Sequence, residues 1–257
     1  MMYTKGEGLP FRKILAVDFE YCGADGELTD VVCMVTQDLQ SGEVSRYWQR
    51  DLLKMKTPPF ETGGDVALIS YFAPAEVQSM LALGWDIDVP VIDLFAEFRC
   101  QTNGNPNVGR KSLIGALQFF ELDHLIPEEK DSMRNLILSG GPWSKPQRSA
   151  ILDYCQQDVV ALGPLLNAML RNAPWSELQF NQALLRGRYM KAVGAMQHRG
   201  IPIDLGMLDK LDANWEKIKL NLIENVDAQY GVYVDGRFKE ALFQSYLARE
   251  GIPWPRL

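Results

Sequence analysis

Residues 13–21 read K-I-L-A-V-D-F-E-Y. The apolar run over 14–17, continued by Phe19, predicts a strand buried on both faces. Because side chains alternate across a strand, Asp18 and Glu20 fall on one face near its end. Two like charges at that spacing raise each other's pKa and are unfavourable unless a cation lies between them. A divalent ion answers that need, since hard cations such as Mg²⁺ take oxygen ligands from a few carboxylates and a substrate phosphate. An isolated D-x-E also arises where acids simply reach solvent at the end of a strand, so the rest of the chain has to decide.

Outward from this strand, residues 31–36, 44–49 and 67–72 are rich in β-branched and aromatic residues and are separated by turn residues such as Gly23, Asp25, Gly26, Ser41 and Gly42. The short link at Ser41-Gly42 predicts an antiparallel hairpin. From Pro74 onward the periodicity turns helical, over 74–83, 94–99, 112–120 and 130–138. A sheet first and helices afterwards imply an α/β layered domain. Ser144-Lys145-Pro146-Gln147 is a capping-box pattern that starts a helix through Ile151, Cys155 and Val159. Gly163-Pro164 is expected to kink or end its first part, because proline lacks the amide donor and collides with the carbonyl four residues back. Past residue 175 the pattern is almost entirely helical, with Gly200 and Pro202 closing one helix and Asp204 capping the next. Leu208, Leu211, Trp215, Ile218 and Leu222 then recur at spacings of three and four, the seam of a helix packed along a partner.

Composition sets the outer limits. A chain of 257 residues with 47% apolar content buries a sizeable core and fits one ordinary domain plus an appendage. No apolar run reaches the roughly 18–20 residues of a membrane span, and the start M-M-Y-T-K-G-E-G-L-P lacks the apolar stretch of a secretory signal. A cytoplasmic location with no membrane partner is the expectation. Cys22, Cys33, Cys100 and Cys155 contain no C-x-x-C pair, which argues against a zinc site or a disulfide framework. The net charge of −7 argues against wholesale binding of nucleic acid through clustered Lys and Arg. A carboxylate site filled with metal ions would nevertheless attract phosphate.

Further residues with chemistry lie in two late segments and one early turn. Tyr154 and Asp158, in Y-C-Q-Q-D, are four apart on the expected helix and share a face. In Y-F-A-P-A-E a core strand ends near Phe72 and a helix begins at Pro74, so Glu76 stands in its first turn, where the helix dipole also favours an acid. Lys130 and Arg134 lie one turn apart and are placed either to touch phosphate or to form a solvated face. Arg186, Arg188 and Lys191 form a basic patch open to DNA or to another domain. His124 and His198 are isolated, without metal-ligand spacing.

The order of these elements carries more than any one of them. D-x-E on the first strand, an acid at the start of the helix after the last strand, and Y-x-x-x-D on a late helix resemble the DEDD exonuclease superfamily in its tyrosine-bearing subclass. That superfamily includes the proofreading domains of family A (DNA polymerase I-like) polymerases and ribonuclease D. In the proofreading domains the second acid stands seventeen positions before an aspartate that opens the next helix and eight before a glycine. Glu76, Gly84 and Asp93 keep both spacings. The resemblance therefore nominates Glu76, with Asp93 in reserve, although the superfamily has aspartate where this chain has the longer glutamate. L-L-R-G-R-Y-M-K-A-V-G-A-M-Q-H-R-G-I-P-I-D is similar to the link from such a domain into a polymerase, in a bacterial or phage branch of that family.

The resemblance implies a ribonuclease-H-like mixed sheet with flanking helices over 1–174 and a mainly helical connecting segment over 175–257, with no polymerase activity expected because palm and finger motifs are absent. It also implies a proofreading-type 3′–5′ exonuclease acting on single-stranded DNA 3′ ends, with a polymerase domain or other replication proteins as partners. Asp18, Glu20, Glu76 and Asp158 would bind two Mg²⁺ or Mn²⁺ ions roughly 3.5–4 Å apart. Tyr154 would orient the attacking water; its ordinary pKa near 10 is too high for a neutral-pH base. Two other readings stand beside this one. One is an inactive exonuclease-shaped module that binds DNA or braces a polymerase. The other is a ribonuclease D-like enzyme acting on RNA 3′ ends, which the tail after residue 175 disfavours.

Overall fold

The computed structural model describes residues 2–3, 9–23, 26–123 and 127–254; His124, Asp25 and most of the first eight residues lie outside these. In chain order the first compact unit, which ends at Gly200, contains β1 (Met2–Tyr3), β2 (Lys13–Cys22), β3 (Asp30–Asp38), β4 (Val44–Trp48), α1 (Gln49–Leu52), β5 (Val66–Ser70), α2 (Ala73–Ala82), β6 (Val91–Asp93), α3 (Leu94–Gln101), α4 (Leu113–Phe119), α5 (Pro127–Leu138), α6 (Lys145–Asn172), β7 (Trp175–Ser176) and α7 (Glu177–Arg199). Among the described residues these build a five-stranded sheet in the order β4-β3-β2-β5-β6. β2 pairs antiparallel with β3 and parallel with β5, and β6 extends the parallel side, so the sheet is mixed and β2 lies at its centre. The antiparallel β3–β4 hairpin turns at 39–43, where the Asp38 carboxylate accepts from the amides of Gln40 and Ser41.

The central strand is buried on both sides, as its apolar run demands. Leu15, Val17 and Phe19 pack with Leu68, Met80 and Trp85 on one face. Ile14 and Ala16 point the other way, into a core shared with Ile151, Val159 and Leu162 of α6. Asp18 and Glu20 continue that second alternation. Helix α6 begins with the capping box at Ser144 and Gln147, as its sequence indicates. It does not end or divide at Pro164, however, and runs 28 residues to Asn172. The carbonyl that Pro164 leaves without an amide donor belongs to Val160, which is exposed and open to water, while buried Leu162, Leu165, Leu166 and Met169 hold the helix against the sheet.

The first compact unit extends to Gly200, and α7 is bonded into it. Its Arg186 forms a two-pronged pair with buried Glu97 of α3, at 2.6 and 2.7 Å. Its Lys191 donates to the carbonyls of Ile87 and Val89. Two members of the supposed basic patch are thus committed to this unit, and Arg188 alone of the three is exposed. Glycines let the helix approach this closely: a Cβ at Gly187 would stand 1.8 Å from the Val91 carbonyl oxygen, and one at Gly194 would meet Val77 and the Pro74 carbonyl at 2.8–2.9 Å.

Residues 201–257 form the second unit, with α8 (Leu205–Tyr230), β8 (Tyr233–Val234), β9 (Arg237–Phe238) and α9 (Glu240–Arg249). Asp204 caps α8 by accepting from the Met207 amide at 3.0 Å, and Gly231 ends it in the left-handed region. The Asp227 carboxylate then accepts from the amides of Val232 and Tyr233 and fixes the exit into the hairpin. A series of ring contacts, edge-to-face at its two ends and tilted between Phe238 and Phe243, joins Tyr233, Phe238, Phe243 and Trp254. The expected packing seam on α8 is not covered: no residue of that helix is buried, and Leu208, Leu211, Trp215 and Leu222 are exposed. No described helix is long and apolar enough to cross a membrane.

A methyl group at Gly187 has no flexible neighbour to displace, because the obstacle is strand backbone. Gly187→Ala is therefore expected to lower unfolding stability by about 3 kcal/mol, the upper part of the range for overpacking. Urea denaturation of both proteins measures it, and a change within error would show that α7 does not lie against β6 as described.

Candidate active site

β2 outlasts its parallel neighbour. Lys13 to Ala16 pair with residues 66–69 of β5, whereas Asp18 and Glu20 pair only with Val35 and Cys33 of β3, and the register slips just after Glu20. The chain leaves β5 at Ser70 and turns through Tyr71-Phe72 into α2. This opening, at the carboxyl ends of parallel strands, is where α/β sheets commonly place their ligands.

Three segments distant in sequence deliver acids to the opening. Glu76, in the first turn of α2, is 4% exposed, and its carboxyl lies near enough to that of Asp18 for each to shift the other's proton affinity. Its Oε2 atom has no hydrogen-bond partner. Asp158 arrives from α6, one turn beyond Tyr154, and accepts from Lys130 Nζ at 2.6 Å. Glu20 follows Asp18 on the same strand face. Cys155 lies beneath: its Sγ is 3.5 Å from Asp18 Oδ2, and one donor atom each from Asp18, Glu20 and Cys155 lie within 4.8 Å of one another.

Asp93 is brought near but is committed elsewhere. It is fully buried, its Oδ1 accepts from the Ala96 amide at 3.0 Å as the cap of α3, and its Oδ2 accepts from the Ala73 amide at 2.9 Å. It thereby pins the start of α2 to the start of α3. Between them Phe72 adopts φ 82° and ψ 61°, a left-handed conformation that disfavours a bulky side chain by roughly 1–2 kcal/mol and persists only where the surroundings enforce it.

The electrostatics follow from crowding acids out of water. Burial, with the charge of Asp158 added, pushes the Asp18 carboxyl up to about 7, although Lys130 pulls it down. Burial first, and the Asp18 charge second, raise Glu20 and Glu76 well above the usual carboxylate range. Burial also raises Asp158, against the opposing effect of Lys130. The Tyr154 phenol is raised by burial and then by the surrounding carboxylates, so it stays protonated at any physiological pH. Asp18 and Glu20, whose donor atoms lie within 4.8 Å of each other, offer oxygens suited to a hard divalent cation, and Glu76 and Asp158 stand outside that set but near enough to act electrostatically on Asp18. The Cys155 thiol is a softer donor at the edge of that set.

A cleft of about 620 Å³ opens beside the acids, lined by Asp18, Asp158, Tyr71, Phe72, Lys111 and Lys130. Phe72 and Tyr71 both stand edge-to-face with Phe95, and the Tyr71 hydroxyl donates to the Lys111 carbonyl. A second cleft of about 560 Å³ contains Arg110, Lys130, Arg134 and Tyr154. Sequence reading passed over Cys155, Phe72, Lys111 and Arg110. Phe72 and Cys155 stood inside motifs read for their acids, and only the left-handed turn and the strand–helix contact give them a place at the site. Lys130 and Arg134 are both at the clefts, but Lys130 is turned onto an acid, a contact that helical spacing does not indicate.

No family model and no curated protein matches this chain. Solved structures do. One described as the apo form of a nuclease superposes with a TM-score of 0.52 at 15% identity, over 74% of this chain and 86% of that one. Brucella melitensis NrnC follows with 0.48 and 14%, over 73% and 85%. Escherichia coli RNase D, an exoribonuclease, gives 0.47 and 10%, over 73% of this chain and 46% of its own. At these identities the likeness establishes the fold, which is ribonuclease-H-like: a mixed sheet with flanking helices, followed by a helical C-terminal part.

Because the Asp18 carboxyl binds its proton more tightly when folded than the roughly 3.9 of an unfolded aspartate, the folded protein holds more protons between about pH 4 and pH 7. Stability of the metal-free protein is therefore expected to fall as pH rises through that window, and Asp18→Asn is expected to flatten the fall. Mn²⁺ is expected to raise the melting temperature more at pH 8 than at pH 6, since protons compete for the same oxygens. Thermal melts at the two pH values, with and without metal, read this directly; a metal shift independent of pH would contradict the assignment.

Proposed function

We propose that this chain is a metal-dependent exonuclease that shortens single-stranded nucleic acid from its 3′ end. The observation that carries the reading is the meeting of Asp18 and Glu20 of β2 with Asp158 of α6 and Glu76 of α2, whose charges act on one another at the open end of a ribonuclease-H-like sheet. When bound, Mg²⁺ or Mn²⁺, taken as two ions, would supply an activated water and charge stabilisation at the leaving oxygen.

This chain's residues have distinct parts in that chemistry. Asp18, Glu20 and Asp158 would hold the metal, and Glu76 would complete the set beside Asp18. The neutral Tyr154 phenol orients the attacking water as a hydrogen-bond partner and is not its base. Arg110 and Arg134 give the adjoining cleft positive charge for the phosphate backbone. Tyr71 and Phe72 offer ring faces to unstacked bases, a sequence-tolerant mode suited to single strands.

RNA ends stand beside DNA ends as the substrate. The proofreading assignment rests on the resemblance of the tail to a polymerase link, whereas the fold is shared with a nuclease, and a ribonuclease D-like reading fits that likeness at least as well. An inert module is disfavoured by Glu76, whose longer arm reaches Asp18 in place of the superfamily's aspartate.

End-labelled single-stranded DNA and RNA, incubated with Mg²⁺, Mn²⁺ or EDTA, test the proposal. The expected result is a ladder shortened from the 3′ end only with metal; tight binding without a ladder would favour the inert module. Asp18→Ala is expected to abolish cleavage, and Tyr154→Phe to leave a remnant about 10²-fold slower. Glu76→Ala is expected to lose turnover with its fold intact. Asp93→Ala, which removes the acceptor of two amides, is expected to lower stability by about 1–2 kcal/mol. If Asp93→Ala alone stopped turnover in a stable protein, Asp93 would be the fourth acid.

A further inference from the structure

We propose that Lys130 is a built-in counter-cation, whose ammonium holds the cationic place on Asp158 in the metal-free site and is released to substrate phosphate when a divalent ion binds, so that metal and nucleic acid bind cooperatively. This rests on the exonuclease reading for the identity of the two ligands.

The ammonium lies 2.6 Å from Asp158 Oδ2 and 5.5 Å from the centre of the Tyr154 ring, so it sits between the two residues of the Y-x-x-x-D element. Its charge reaches Asp18 and Glu20 as well as Asp158, opposing the effect of burial on all three. Helix electrostatics do not account for this position. Lys130 stands near the start of α5, where the dipole disfavours a cation, so the acids must provide what holds it there.

One positive charge offsets part of the repulsion among Asp18, Glu20 and Asp158. The contact also makes the ammonium a competitor of any ion that takes Asp158 as a ligand, for two cations on one carboxylate repel. Lys130 has somewhere to go. It lines both clefts, and its flexible four-carbon stem lets the ammonium move while the helix stays fixed. Arg134, one turn along α5, and Arg110 across the second cleft already give that surface positive charge, and a released Lys130 joins them. A strand that binds the freed ammonium keeps it off Asp158 and so strengthens metal binding; by linkage, metal strengthens strand binding by the same factor.

Lys130→Met, which keeps an unbranched side chain one atom shorter and removes its charge, separates this from a static ion pair. Mn²⁺ affinity is read by the electron paramagnetic resonance of free Mn²⁺, with and without an oligonucleotide ending in a phosphorothioate linkage that resists cleavage. Without oligonucleotide, Lys130→Met is expected to bind Mn²⁺ about tenfold more tightly than the unaltered protein. Oligonucleotide is expected to tighten Mn²⁺ binding several-fold in the unaltered protein and hardly at all in the variant. Lys130→Arg, which retains a cation, is expected to keep the weaker metal affinity, and its melting temperature serves as the folding control. Equal or weaker Mn²⁺ binding by Lys130→Met would make the contact a structural ion pair and overturn the proposal while leaving the exonuclease reading intact. Failure of both proteins to bind Mn²⁺ would overturn both.

Discussion

The site depends on repulsion among crowded carboxyl groups, Glu76 buried and Asp18, Glu20 and Asp158 partly so. Asp18, Glu20 and Glu76 are held where burial alone raises their proton affinity, and each worsens the position of another. An unpaired buried charge is far more unfavourable than any single hydrogen bond can repay, so such a group is protonated, paired or bound to metal. The site holds carboxyls with raised proton affinity, an ammonium on Asp158, and oxygen donors of the kind a hard cation takes.

The surrounding fold keeps the acids from relaxing apart. β2 is clamped between β3 and β5 with core on both faces, so the direction of Asp18 is set by the pleat. α6 crosses one face and fixes Tyr154 and Asp158 through the same buried stripe that carries it past Pro164. Asp93 ties the starts of α2 and α3 together and enforces the left-handed turn at Phe72, which in turn aims the first turn of α2, and Glu76 with it, at the strand. The fully buried aspartate near the site is thus a structural part, and its nearly buried glutamate neighbour is the candidate ligand. On the far side, glycines in α7 and the Arg186–Glu97 pair close the unit behind α2 and β6.

The second unit has a different character. Its helix ends and hairpin are locally well specified by Asp204, Asp227 and Gly231, yet the apolar seam of α8 is uncovered. Periodicity reports that a helix has an apolar side; it does not report what lies against it.

The sequence by itself determined four of the five strands of the main sheet, the starts of α6 and α8 and the shared face of Asp18 and Glu20, because alternation, capping and helical spacing act over a few residues. Tertiary structure decided what depends on contacts across the chain. Pro164 stays within a helix because packing outweighs one missing hydrogen bond, and α7 belongs to the first unit because Arg186 finds Glu97. Asp93 is a cap, and Glu76 is left to face Asp18, because one meets amides and the other does not. Lys130 turns to Asp158, 28 residues away, for the same reason: a charge at low dielectric is placed by whatever opposite charge the fold brings within reach, and no local pattern records that.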